Sequence, residues 1–150
     1  MSEHFALVMC DAEGRPVTPF GPLHPTIVDY CAASAALFAR LGYEPPSISY
    51  VAVSGSAPAV VGALVGPPSD GRVAIAYFTL ADFEGRGIAT LTARHLCAIA
   101  ATAKPPPTIV AKTLPEPNAS TRVLPRSGFA HVGEVHDDKP GTAWLWERVL

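Results

Sequence analysis

Tyr77-Phe78-Thr79-Leu80-Ala81-Asp82-Phe83-Glu84-Gly85-Arg86-Gly87-Ile88-Ala89-Thr90 carries a β-forming run through a glycine turn into the start of an apolar helical stripe. Upstream, Arg72 to Leu80 reads Val-Ala-Ile-Ala-Tyr-Phe-Thr-Leu after its arginine, which predicts a mostly buried strand. Downstream, Ile88, Leu91, Leu96 and Ile99 recur at helical spacing, and Pro105-Pro106-Pro107 is expected to stop that helix. Gly85 and Gly87 allow the backbone to approach a ligand closely, and the first helical turn offers unpaired N–H groups with partial positive charge. Such a junction can hold a phosphate on main-chain amides alone, although glycines at a tight turn need no ligand. A dinucleotide fingerprint would need glycine where Thr90 stands and an acidic residue roughly 20 positions on, and Glu116 comes too late. The Gly-Lys-Ser/Thr of a nucleoside-triphosphate loop is absent.

Working outward from the junction, Ser47 to Ser54 and Ala59 to Gly66 are rich in valine and alanine and separated by turn residues, so with Arg72 to Leu80 they predict a meander of three strands. No charge falls between Glu44 and Asp70, a span long enough to cross a bilayer. Ser54, Gly55, Ser56 and Pro58 break it at the centre, and antiparallel strands fit better than a membrane helix. Phe5 to Cys10 is a candidate first strand. Thr26 to Leu41 carries Ile27, Tyr30, Cys31, Leu37, Phe38 and Leu41 at helical spacing, with Gly42 placed for a left-handed cap. After the central helix come a strand from Thr108 to Leu114, a short helix from Asn118 to Ser127, and a hairpin of Phe129 to Val135 with Thr142 to Val149 turned near Asp137 to Gly141. The expected class is mixed α/β with one strongly bent sheet.

The 150 residues are expected to form a single domain, 1–150, with 49% apolar and 16% charged residues, a composition that excludes global disorder. A net charge of -2 and the absence of any Lys/Arg cluster longer than a pair argue against a nucleic-acid or anionic-membrane surface. Cys10, Cys31 and Cys97 are odd in number, widely spaced and set in apolar stretches, which predicts reduced packing residues and no metal site. Met1-Ser2-Glu3-His4 lacks the pattern of a secretory signal, so cytoplasmic placement is expected.

Two blocks resemble the GNAT acyltransferases, in particular the branch similar to the RimJ/RimL ribosomal-protein N-acetyltransferases. Glu84-Gly85-Arg86-Gly87-Ile88-Ala89 resembles that superfamily's Gln/Arg-x-x-Gly-x-Gly/Ala loop, with Glu84 in place of the usual first residue. Ser120-Thr121-Arg122-Val123-Leu124-Pro125-Arg126-Ser127-Gly128-Phe129 is similar to the branch's Ser-x-Arg-Val-Leu-x-Lys/Arg-x-Gly-Phe segment. The resemblance covers the chain from about Ser47 onward. It implies a mostly antiparallel seven-stranded sheet, splayed between its fourth and fifth strands to admit acetyl-CoA and flanked by helices. It further implies that Glu84, Gly85, Arg86, Gly87, Ile88, Ala89 and Thr90 hold the pyrophosphate, that Thr79 and Leu80 bond the pantetheine and thioester through backbone, and that Asn118 bonds the pantetheine. Ser120 would serve the departing thiolate. Arg86 is expected to offset the Glu84 carboxylate beside the phosphates. Read without the resemblance, Asn118 caps the short helix and Ser120 solvates its first turn.

Acetyl transfer to an amine also needs donors for the developing oxyanion and a path for the amine's proton. Where relatives carry Glu-Ile-Gly-Tyr, this chain has Ala74-Ile75-Ala76-Tyr77, so the expected carboxylate is missing. Tyr77, Asp82, His95 and Glu134 remain as candidate bases, with His24 and His131 behind them, and ordered water or an already neutral amine would serve without a side chain. None of these residues has metal-ligand spacing. The expected reaction is direct acetyl transfer to a primary amine of a small molecule or a protein N-terminus. The rival from another class is a non-catalytic acyl-CoA-binding or regulatory domain that keeps the loop. The apolar helix in the segment from Arg15 to Pro46 suggests either a partly hydrophobic acceptor site or a homodimer surface.

Overall fold

Strand-forming runs before the glycine junction pair in chain order. In the computed structural model, which describes residues 5–18, 22–136 and 141–150, β1 (Phe5–Met9), β2 (Ser49–Ser54), β3 (Ala57–Ser69) and β4 (Arg72–Thr79) form an antiparallel meander. The expected three strands are thus four, because Phe5–Met9 pairs with β2 from Phe5–Ser54 to Met9–Tyr50. β3 also runs past its expected end at Gly66, over Pro67 and Pro68. Prolines cannot donate to a ladder, and the pairing with β4 accordingly lapses between Val65 and Ser69.

The helix α1 (Pro25–Leu41) starts one residue before the predicted boundary, where the His24 ring nitrogen accepts the Thr26 N–H at 3.1 Å. Gly42 has the expected positive φ of 100° but an extended ψ of 140°, so it is not a left-handed helical cap. Its N–H still donates to the Phe38 carbonyl at 2.9 Å, and the turned chain brings the Tyr43 hydroxyl to the Cys10 carbonyl at 2.7 Å.

A single 3₁₀ turn at Ala81–Phe83 and the glycine loop lead into α2 (Ile88–Ala100). Its buried stripe of Ile88, Thr92, Ala93, Leu96, Cys97 and Ala100 faces the sheet. Close approach requires a glycine beneath it, since a Cβ at Gly62 would lie 3.1 Å from the Thr92 methyl and 3.2 Å from a Leu96 methyl. Thr92 is buried without leaving its hydroxyl unsatisfied, because it donates to the Ile88 carbonyl at 2.8 Å. The helix ends at Ala100, short of the proline run expected to stop it. Thr102 Oγ1 donates to the Ile99 carbonyl at 2.7 Å, and Pro107 is packed into the interior on the way to the next strand.

β5 (Thr108–Thr113), α3 (Ala119–Arg126), β6 (Ala130–His136) and β7 (Thr142–Arg148) complete the fold, while residues 137–140 of the expected hairpin turn lie outside those described. The sheet has seven strands in the order β1-β2-β3-β4-β5-β7-β6. β4 and β5 are parallel, and their pairing covers only Arg72–Thr108, Val73–Ile109 and Ala74–Val110. Beyond Ala74 the strands part, which is the splay that the resemblance implies. The main core, with Leu64, Ile75, Leu96, Ile109, Leu124 and Trp146, packs α2 and α3 on one face of the sheet. A second cluster, including Ile27, Cys31, Val51 and Val61, seats α1 on the other. Cys10, Cys31 and Cys97 are buried free thiols, and among the described residues no group of metal-ligating side chains occurs and no helix is long and apolar enough to cross a membrane.

Candidate active site

Strand alternation decides which main-chain groups of β4 face the splay. Leu80 donates its N–H to the Ala59 carbonyl at 2.9 Å, so even-numbered positions here bond β3 and odd-numbered ones point toward β5. Tyr77 and Thr79 therefore turn their N–H groups into the opening past Ala74. The expectation for Leu80 is corrected: its amide belongs to the β3 ladder.

Next along the chain, Gly85 and Gly87 have φ of 77° and 79°, and a Cβ built at either meets no atom within 4 Å. Packing does not demand glycine at these positions. Backbone conformation does, and the absent side chains leave the approach to α2 open. Gly87 is the N-cap of α2 and supplies no side-chain hydrogen bond to it. The N–H groups of Ile88, Ala89 and Thr90 thus lack intrahelical acceptors and face outward with the positive end of the helix dipole.

These elements enclose a cleft of about 260 Å³, lined by Tyr77 to Thr79, Phe83 to Gly85, Gly87 to Thr90, Ala119, Ser120, Arg122, Val123 and Arg126. Of the expected contacts, Thr79, Glu84, Gly85, Gly87, Ile88, Ala89, Thr90, Tyr77 and Ser120 are brought together here. Leu80, Arg86 and Asn118 are not among its lining residues. Arg86 instead lays its guanidinium over the Phe83 ring, 5.2 Å from the centroid, so its contact is with Phe83 and not with the carboxylate at the cleft. The cationic lining comes from Arg122 and Arg126 on α3, one turn apart. Both lie inside the Ser120–Phe129 block, but which way they face depends on how α3 docks across α2. A diphosphate fits this lining: free amides at a helix N-terminus, two guanidinium groups, and open space above both glycines.

Asn118 is the N-cap of α3 in a reciprocal box, its Oδ1 accepting the Thr121 N–H at 3.0 Å while Thr121 Oγ1 accepts the Asn118 N–H at 2.8 Å. The local reading of this residue is thus realised, and its Nδ2 is the group left for a cofactor. Asn118→Ala is expected to lower stability by about 1 kcal/mol through the lost cap, measured by denaturant unfolding. Asn118→Asp keeps the cap, removes the Nδ2 donors and adds a charge, so an unchanged acetyl-CoA affinity in that variant would exclude the pantetheine contact that the resemblance implies.

Where β4 and β5 part, a second cavity of about 300 Å³ is lined by Ala74 to Tyr77, Val110 to Thr113, Ser120 and Leu124. Tyr77 and Ser120 are the two residues common to both cavities. The Tyr77 hydroxyl is buried with no partner at full hydrogen-bonding geometry. Burial pushes its phenol up to about 12, opposed by the neighbouring Ser120 hydroxyl. An unsatisfied buried donor is costly, and this one is placed at the meeting of two cavities. The remaining candidate bases stand elsewhere: Asp82 and Glu134 are exposed, His95 packs on Phe5 at 4.7 Å, His131 packs on Trp144 and Trp146, and His24 caps α1. None of them lines either cavity.

The family model for the acetyltransferase (GNAT) domain matches residues 8–130, most of the chain. No curated protein matches the sequence. Among solved structures, the ribosomal-protein-S5-alanine acetyltransferase of Vibrio fischeri is similar at a TM-score of 0.72 with 13% identity, over 99% of this chain and 94% of that one. The acetyltransferase that modifies the N-terminal serine of ribosomal protein L7/L12 in Salmonella typhimurium gives 0.70 with 15% identity, over 97% and 95%. Aminoglycoside acetyltransferase AAC(6')-Ib in complex with coenzyme A gives 0.68 with 18% identity, again over 97% and 95%.

Proposed function

Because the chain belongs to the GNAT acetyltransferase domain family, we propose that it transfers the acetyl group of acetyl-CoA directly to a primary amine, with Ser120 and Tyr77 at the point of transfer. The observation that carries this reading is the position of those two hydroxyls, shared by the cleft at the start of α2 and by the gap where β4 and β5 part. Acetyl-CoA, when bound, supplies a thioester carbonyl open to attack.

The chain's own groups do the rest. Amides of Ile88, Ala89 and Thr90 with Arg122 and Arg126 hold the diphosphate, and the Tyr77 and Thr79 N–H groups orient the pantetheine and the thioester oxygen. The N–C bond forms as the C–S bond breaks, the amine gives up a proton to water, and the leaving thiolate, hydrogen-bonded by the Ser120 hydroxyl, takes its proton back from water. A serine hydroxyl is a weak acid, so its contribution is chiefly a hydrogen bond to sulfur. Tyr77, kept neutral by burial, is a donor in the same place and not a base.

Calorimetry with acetyl-CoA, followed by acceptor-dependent thiol release, tests the proposal. Binding together with acceptor-stimulated release supports transfer. Tight binding that no amine stimulates favours the acyl-CoA-binding reading, for which Ala74 at the usual glutamate position speaks. Failure to bind removes both.

A further inference from the structure

The last main-chain rung between β4 and β5 is Ala74–Val110, and from there the cavity of about 300 Å³ follows the parting strands as far as Tyr77 and Ser120. Three residues of strand separate Ala74 from Tyr77, a path of about 10 Å. The gap stays open because its strand residues are small. Alanine stands at positions 74, 76 and 111 of its lining, and the nearby Phe78 ring lies outside it, stacked on Tyr30 of α1 with centroids 4.4 Å apart. Ile75, Ala111 and Leu124 form a buried inner wall, while Ala76 and Lys112 stand at the exposed rim.

The chemistry of that inner wall suits a hydrocarbon. Thr113 is already satisfied, since its Oγ1 donates to the Leu114 carbonyl and accepts the Trp146 Nε1–H, each at 3.1 Å. Among the described residues that line the cavity none is acidic, so an ammonium group finds no carboxylate there. Ordered water needs about two to four polar partners, and the wall offers apolar carbon instead. Left unfilled, it forfeits dispersion contacts that a guest of matching shape restores. An apolar cavity of about 150 Å³ already takes a benzene-sized molecule, so the single methyl of an acetyl group fills a small part of this one. Tyr77 and Ser120, assigned above to the point of transfer, stand at its upper end. Whatever the thioester carries beyond its carbonyl therefore has this cavity beside it.

We propose that the cavity receives the acyl chain of the donor, and that the donor bound best is a straight-chain acyl-CoA of about four to six acyl carbons. This rests on the transfer reading above and specifies its donor. The bond changes are those already described, with a longer acyl group in place of acetyl. Each added methylene leaves water for the inner wall and tightens binding about two- to fourfold until the cavity is full. The limit on length is the Ala74–Val110 rung, where the paired strands close the floor.

Calorimetry of the full chain with CoA and with acetyl-, butyryl-, hexanoyl- and dodecanoyl-CoA is the test. Affinity is expected to rise by at least about tenfold from acetyl to hexanoyl and to level or fall at dodecanoyl. Ala76→Leu, at the exposed rim, narrows the cavity and is expected to cut the ratio of hexanoyl to acetyl affinity by about tenfold. Val110→Ala, across the gap, widens it and is expected to move the preferred length upward, an opposite shift that misfolding does not produce. Equal affinities for acetyl-, butyryl- and hexanoyl-CoA overturn the acyl-chain assignment while transfer of acetyl stands. A rise that continues unbroken to dodecanoyl reports a general apolar surface and overturns it as well, and so does an unchanged ratio in Ala76→Leu. Failure of every thioester and of free CoA to bind would instead remove the reading beneath it.

Discussion

Gly87→Asp is expected to weaken acetyl-CoA binding by at least about tenfold, the equivalent of one charge-assisted hydrogen bond, while the fold persists. The backbone at this position has φ of 79°, a region where aspartate is among the better tolerated side chains. Its Cβ would meet no atom within 4 Å, so nothing is displaced. A carboxylate at the N-terminus of α2 even favours the helix through its dipole. The same carboxylate occupies the approach of the diphosphate and repels it. The positive φ strains any side chain and offsets the gain from the dipole, so stability should change little while affinity falls, a combination that a folding defect does not give. Gly87→Asn, with the same shape and no charge, isolates the electrostatic share. Calorimetry on the three proteins decides the matter, and an unchanged dissociation constant in Gly87→Asp would remove the loop assignment.

Ser120→Ala is expected to lower kcat by about 10 to 100-fold without abolishing it, because a hydrogen bond to the leaving sulfur is lost while positioning of the thioester remains. Tyr77→Phe has a more distinctive signature. It deletes a buried hydroxyl that has no partner at full hydrogen-bonding geometry, so the protein should lose little stability as kcat falls. If both hydroxyls serve the same sulfur, the double variant loses less than the product of the single losses. With the Tyr77 phenol held near about 12 by burial, the donor stays protonated as pH rises through neutrality and beyond. An alkaline loss of rate centred near 10 would contradict its assigned environment. Single-turnover rates for the three variants, with unfolding curves alongside, provide the measurement.

Much of this was legible in the chain itself. Short runs rich in valine and alanine, the stripe from Ile88 to Ile99 and the turn residues between elements predict the strands and helices, because those patterns are set by local geometry. What is settled across the sheet was not legible. The ownership of the Leu80 amide depends on the register of β3 against β4, and no feature of Leu80 itself announces it. Arg86 adjoins the loop in sequence yet turns onto Phe83, since an arginine over a ring loses less hydration than one pressed against a carboxylate. Arg122 and Arg126 sat inside a recognised block, but their orientation toward α2 follows from the docking of α3 through Leu124. The stack of Tyr30 on Phe78 joins residues 48 positions apart in number and has no local precursor.

The seam between β4 and β5 extends for three residue pairs, so the last third of the chain is tied to the rest by few main-chain bonds at the place where the coenzyme enters. A ligand gripping Tyr77 and Thr79 on one side and α3 on the other supplies the rungs that peptide does not. If the acyl donor binds as proposed, it is expected to stabilise the folded chain by mass action and to add bonds across this short seam, so limited proteolysis of the C-terminal part should slow in its presence.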